Sequence, residues 1–181
     1  MVYVFLAEGF EEIEALTVVD LGRRAGLDVQ TVSITRDKTV TGARGIPVVT
    51  DTILKKVDWD AADMLVLPGG MPGTKNLEAC DELMTRVDEM SQNNRNVSAI
   101  CAAPTILGHR GILNGRRACC YPGLEGQLSG ASVCADTVST DGNIITSRGV
   151  GTAIDFALAI ITKLVSKEKA DEIAGSVVYR I

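Results

Sequence analysis

Cys101 is the residue with the most chemistry to offer. The apolar run 97–100 leads straight into it and Ala102-Ala103-Pro104 follow, so a strand passes directly into a helix. Pro104 falls near the helix start, where its missing N–H costs nothing. Ala99 and Ala103, two positions to either side, are small enough for a tight strand-turn-helix. This is the logic of a nucleophile elbow, which holds a side chain exposed above a helix N-terminus. Backbone N–H groups and the helix dipole there favour a thiolate and are expected to lower the Cys101 pKa. The competing reading is a buried structural cysteine, a common fate for the residue.

Three other positions bear on that thiol. The first apolar segment runs into Glu8-Gly9-Phe10-Glu11-Glu12-Ile13-Glu14. Glu11 and Glu12 are expected to complement the dipole of the helix that starts there. Glu14 lies further in: either it is one more helix-start charge, or its turn aims it at the sheet edge that carries Cys101. A desolvated carboxyl there would have a raised pKa and could donate to a thiolate or shuttle protons. Pro68-Gly69-Gly70-Met71-Pro72-Gly73 is either a tight turn or a loop aiming a backbone N–H into the same cleft. It lacks the Gly-Lys-Ser/Thr of a phosphate loop. His109, the single histidine, follows Cys101 by eight residues on the same predicted helix. At ~1.5 Å rise per residue that is about 12 Å, outside the ~3 Å reach of a Cys–His pair. A peptidase dyad is therefore not expected.

The elements that must position these residues follow from two alternating periodicities. Short apolar segments at 2–7, 28–34, 63–67 and 97–100 read as strands. Between them, 11–24 carries Ile13, Leu16 and Val19, and 76–90 carries Leu77, Leu83, Val87 and Met90, at helical spacings. Buried strands alternating with amphipathic helices predict a parallel sheet covered on both faces. Then 131–140 alternates, Asp141-Gly142 is a hairpin-turn signal and 144–147 returns. A strand at 117–120 is expected to complete a mixed sheet, followed by helices at 152–165 and 167–177. The expected fold is an α/β, flavodoxin-like three-layer sandwich forming a single domain over 1–181. In such sheets functional groups gather at the carboxyl ends of the strands, where Glu14, Gly70 and Cys101 all fall.

Composition narrows the function classes. The chain has 181 residues, 46% of them hydrophobic, and a net charge of −5. Without a Lys/Arg stripe, nucleic-acid binding is not expected. No apolar run approaches the roughly 18–20 residues of a membrane span. Residues 2–7 lack a preceding basic segment and are followed by four glutamates, so no signal peptide is read, and the expected location is cytoplasmic. Five cysteines, at 80, 101, 119, 120 and 134, show no C-x-x-C spacing, and with one histidine neither a disulfide framework nor a metal site is expected. Asn96-Val97-Ser98 has the form of a glycosylation acceptor but opens a core-like strand, and is set aside.

Several stretches together resemble the ThiJ/PfpI superfamily, in particular the branch of the parkinsonism-associated protein deglycase and its bacterial relatives. They are Glu8-Gly9-Phe10-Glu11-Glu12-Ile13-Glu14, Val19-Asp20 with Arg23-Arg24-Ala25-Gly26, Leu67-Pro68-Gly69-Gly70, Ala99-Ile100-Cys101-Ala102-Ala103-Pro104-Thr105, and Thr146-Ser147-Arg148-Gly149 with Gly151-Thr152. The resemblance implies a flavodoxin-like homodimer. It makes Cys101 the reactive, oxidisable thiol, Glu14 its protonated hydrogen-bond partner, and Gly70 and Ala102 the N–H donors at the oxyanion position. It also implies no cofactor, and an activity as deglycase or glyoxalase on methylglyoxal, glyoxal and their early adducts. A redox sensor or chaperone whose Cys101 is oxidised to sulfinate is the alternative. A link to thiamine (thiazole phosphate) biosynthesis and peptidase activity are weaker ones. Where relatives place a histidine before a proline, this chain has Tyr121-Pro122. A phenol of pKa ~10 is a poor base at neutral pH but can donate a hydrogen bond, so Tyr121 is a supporting candidate.

Overall fold

The computed structural model describes residues 1–179; the last two residues of the expected domain 1–181 lie outside the described residues. In chain order the elements are β1 (Val2–Leu6), α1 (Glu12–Arg24), β2 (Val29–Ser33), β3 (Thr39–Thr41), β4 (Pro47–Val49), β5 (Thr52–Ile53), β6 (Met64–Leu67), α2 (Gly73–Glu78), α3 (Asp81–Gln92), β7 (Asn96–Ile100), α4 (Pro104–His109), β8 (Arg117–Ala118), β9 (Ser132–Val133), β10 (Val138–Asp141), β11 (Ile144–Ser147), α5 (Ala153–Leu164) and α6 (Lys167–Ser176). Seven strands form one sheet in the order β10-β11-β7-β6-β1-β2-β5. All its neighbours are parallel except β10, which returns antiparallel to β11 through Gly142. The flavodoxin-like α/β sandwich expected from the periodicities is the fold observed.

Strand alternation explains the three layers. Tyr3 and Phe5 of β1, with Leu65, Leu67, Val97 and Ala99, face Leu77, Leu83, Val87 and Ile106 of α2, α3 and α4. Val2, Val4 and Leu6, with Met64, Val66 and Ile100, face Val18, Phe156, Ile160 and Ile173 of α1, α5 and α6. Period-2 side-chain alternation thus supplies both cores from the same strands. Phe156 is fully buried, a burial worth about 3–5 kcal/mol relative to alanine.

Four local expectations are corrected. The single helix at 76–90 is two, α2 and α3, broken at Ala79-Cys80. Leu77 and Leu83 are both fully buried, yet a spacing of six puts them on different faces of one continuous helix, so the chain turns to bury both. The strand at 117–120 stops at Ala118 and pairs with β9 in a separate two-stranded sheet. It meets β10 through side chains instead of a ladder: Arg117 N–H donates to the Asp141 carboxylate and Ser139 Oγ donates to the Arg117 carbonyl. The alternating stretch 131–140 divides into β9 and the start of β10, and the β3–β4 hairpin had no counterpart in the periodicity. Finally, Ile13 and Leu16 do not face the core: Ile13 is 53% exposed, while Ala15, Val18 and Leu21 are buried.

Candidate functional site

β1 reaches the switch point of the sheet, where the chain builds β2 and β5 to one side and β6, β7 and β11 to the other. The carboxyl ends of β1, β6 and β7 therefore open onto one crevice. Cys101 follows β7 immediately and has φ +65°, a left-handed conformation that a non-glycine side chain adopts at a cost of about 1–2 kcal/mol. Neighbouring backbone holds it there: Cys101 N–H donates to the Ser147 carbonyl at 3.0 Å and the Cys101 carbonyl accepts from Tyr121 N–H at 2.7 Å. The elbow read from the strand-helix junction is thus a strained residue fixed between β11 and the segment after β8. Pro104 occupies the first turn of α4, as expected.

The Gly69-Gly70 turn closes over the sulfur. A Cβ on Gly69 would lie 2.6 Å from Cys101 Cβ, 2.8 Å from Glu14 Oε2 and 3.0 Å from Cys101 Sγ, so only glycine lets these groups meet. Gly70 takes φ +91°, and its N–H and that of Ala102 act on the Cys101 sulfur to favour its charged form. The loop is a tight turn, and it places Gly70 in the lining of the cleft.

Glu14 is fully buried on the inward stripe of α1 with Val18 and Leu21, at i, i+4 and i+7. Its Oε2 accepts from Gly69 N–H at 2.9 Å. Oε1 accepts from no group of regular geometry, and the polar group facing the carboxyl is the Cys101 sulfur. Burial raises the Glu14 carboxyl to about 7, partly countered by the hydrogen bonds with Cys101 and Gly69. Cys101 is pushed up to about 12, first by burial and then by the negative charge of Glu14, with the Ala102 and Gly70 N–H groups opposing. The expectation of a thiol lowered by a helix terminus is therefore corrected. α4 has only six residues, and an adjoining carboxylate opposes a second negative charge.

Groups this close titrate as a pair. One proton leaves near neutrality and the second only in strong alkali. A thiolate forms readily only while the carboxyl keeps its proton, and Oε1 is the oxygen free to carry it.

The sign of the resulting pH dependence is fixed. Glu14 stands at 4.5 in an ordinary environment and about 7 in the fold. The folded state thus binds the proton more tightly, and the stability this contributes is complete below 4.5 and is lost as pH rises through 7. Wild type minus Glu14→Gln unfolding free energy, from urea titrations, is expected to fall between pH 5 and pH 8. A flat difference would mean the carboxyl titrates as if in water.

The cleft above the thiol measures about 820 Å³ and has Glu11, Arg44, Tyr121, Arg148 and Gly149 among its walls. Tyr121 is half-exposed, its ring lying against the backbone of Gly149. All five residues singled out from the sequence, Cys101, Glu14, Gly70, Ala102 and Tyr121, line it. His109 does not: it ends α4, with Nδ1 2.6 Å from Glu78 Oε1. Glu11 and Glu12 do more than complement a dipole. Glu11 lies 3.6 Å from Arg44 across the cleft rim, and buried Glu12 accepts from Arg44 N–H at 2.8 Å, pinning the β3–β4 turn to α1. Arg44 went unread because its hairpin carries no periodic signal. No group of three or more His, Cys, Asp or Glu suited to a metal occurs among the described residues, and no helix among them is long and apolar enough to cross a membrane.

Known proteins share both the sequence and this architecture. Residues 1–163 match the DJ-1/PfpI family. Protein DJ-1 homolog B of Arabidopsis thaliana is 36% identical over 99% of this chain, which spans only 41% of that protein's length. The glutathione-independent glyoxalase DJR-1.2 of Caenorhabditis elegans is 33% identical over 92% of this chain and 89% of its own. The structure of oxidized DJ-1 from Toxoplasma gondii superposes with a TM-score of 0.95 at 33% identity, covering 99% of this chain and 98% of that one. With a family match over most of its length, this chain belongs to the DJ-1/PfpI family.

Proposed function

We propose that the chain is a cofactor-independent enzyme that uses Cys101 to convert small reactive dicarbonyls, methylglyoxal and glyoxal, or their early adducts on amines and thiols. The observation that carries this reading is the elbow thiol, with two backbone N–H groups at its sulfur and a protonatable carboxyl buried beside it. The relative named a glutathione-independent glyoxalase supports it.

In the proposed reaction Cys101, as the thiolate beside protonated Glu14, bonds through sulfur to the aldehyde carbon, and the carbonyl π electrons move onto oxygen. Gly70 and Ala102 N–H groups receive that charge, and Glu14 supplies the proton that makes the hemithioacetal hydroxyl. Glu14, now a carboxylate, takes the proton from the former aldehyde carbon and returns it at the neighbouring carbon, while the hydroxyl proton passes to the neighbouring oxygen through the enediol, leaving a lactoyl thioester. Water cleaves the C–S bond, releasing lactate and regenerating the thiol. Tyr121, placed where relatives carry a histidine, supports this as a hydrogen-bond donor. A second copy of the chain, covering exposed Ile13, Leu16 and Ile46, completes the proposal as a homodimer.

The test is lactate formation from methylglyoxal by the wild-type protein. It is expected to exceed by far the rate given by an equal concentration of free cysteine. Equal rates would remove the enzymatic reading.

One observation favours a second reading. The single histidine, His109 at the end of α4, is paired with Glu78 of α2, leaving the thiol no imidazole base. Protonated Glu14 and the two N–H groups are equally suited to stabilise an oxidised sulfur, as in a redox sensor. Intact-mass spectrometry after mild peroxide separates the two. Selective addition of two oxygens at Cys101, without lactate turnover, supports sensing.

A further inference from the structure

Two more cysteines face each other across the small β8–β9 sheet. These strands run parallel in the register Arg117↔Ser132 and Ala118↔Val133, so the next pair is Cys119 opposite Cys134. The alignment continues that far, because Cys134 N–H still donates to the Ala118 carbonyl at 2.9 Å. Residues paired in register point to the same face of a strand pair. Cβ atoms so placed come near the spacing a disulfide bridges. Both sulfurs are free thiols, and the charge of one acts on the other. Cys119 is fully buried, its Sγ donating to the Thr146 carbonyl at 3.4 Å, whereas Cys134 is partly exposed. Adjacent Cys120 points away, into the core on the other side.

We propose that a peroxide oxidises Cys134 and that Cys119 resolves it, joining the two in a disulfide. In the first step the Cys134 sulfur attacks the peroxide: an S–O bond forms, the O–O bond breaks, and the peroxide is reduced to an alcohol or water. In the second, Cys119 sulfur attacks the Cys134 sulfenic acid: the S–S bond forms, the S–O bond breaks, and hydroxide leaves with the Cys119 proton as water. The bridge closes the segment 119–134. That segment carries Tyr121, Pro122, Gly123 and Leu124, all of which line the Cys101 cleft. Oxidation at this pair therefore tethers the cleft wall without consuming Cys101. The inference stands apart from the proposed aldehyde chemistry.

The experiment treats reduced, desalted protein with hydrogen peroxide, blocks remaining thiols with iodoacetamide and omits reductant. Trypsin together with a glutamate-specific protease separates the cysteines, cutting after Arg117, Glu125 and Arg148. The expected product is fragment 118–125, alkylated at Cys120, linked to fragment 126–148 and short of the summed mass of those two fragments by two hydrogens. It should form in wild type, Cys101→Ser and Cys120→Ser, and be missing from Cys119→Ser and Cys134→Ser. Should Cys119→Ser not fold, fragment ions between Cys119 and Cys120 of the wild-type product assign the bond instead. Recovery of Cys134 as alkylated or singly oxidised fragment with no linkage overturns the proposal, as does a linkage assigned to Cys120.

Discussion

Cys101→Ala is expected to bring lactate formation down to the uncatalysed rate, a loss of about 10³-fold or more. Every covalent step proposed passes through its sulfur, and no second thiol lines the cleft. The variant should fold, because the conformation of position 101 is imposed by backbone hydrogen bonds to Ser147 and Tyr121, which alanine retains. Alanine also pays the same left-handed backbone penalty as cysteine, so stability should move little. Turnover is measured by lactate release and folding by thermal melting. A folded Cys101→Ala protein that keeps most of the wild-type turnover would place the chemistry elsewhere.

Gly70→Ala is expected to be the most disruptive small substitution in the cleft. Two costs coincide there. The residue has φ +91°, a strain of about 1–3 kcal/mol for a side chain. Its new Cβ would also stand 2.5 Å from both Glu11 N and Gly9 O. Those are backbone atoms and cannot rotate aside, so the turn must shift, adding about 1–3 kcal/mol of overpacking. The sum is about 2–6 kcal/mol, read as a fall in the urea midpoint, with activity lost as the Gly70 N–H leaves the sulfur. Gly126→Ala is the control: nothing lies within 4 Å of its Cβ, and it should stay within about 0.5 kcal/mol of wild type. Equal stabilities for the two variants would show that the Gly70 turn gives way freely.

Much of this was legible in the residues. Near-continuous apolar strands alternating with helices specify a parallel sheet because both its faces must be covered, and that placed Glu14, Gly70 and Cys101 at strand ends. Cys101 stood out because a strand can turn tightly into a helix only between small neighbours, here Ala99 and Ala103. Boundaries of the main strands and of the helices other than the one expected over 76–90 came within one or two residues, since burial ends where the hydrophobic pattern ends. The other exceptions were short elements. β8, β9 and the β3–β4 hairpin are held by side-chain bonds such as Arg117 N–H to Asp141 and Arg44 N–H to Glu12, which leave no periodic trace.

What the chain order alone could not decide was the state of the thiol. A cysteine before a helix suggests a lowered pKa, yet the sign depends on how deeply the sulfur is buried and on the charge across from it. Those are set by α1 packing on β1 and bringing Glu14, eighty-seven residues away in sequence, against the sulfur. The sequence by itself determined which residues meet at the crevice, because local patterning ends each strand there. Only the tertiary structure decided that both the carboxyl and the thiol are held above their ordinary pKa, because desolvation and Coulomb repulsion act through space and carry no signature along the chain.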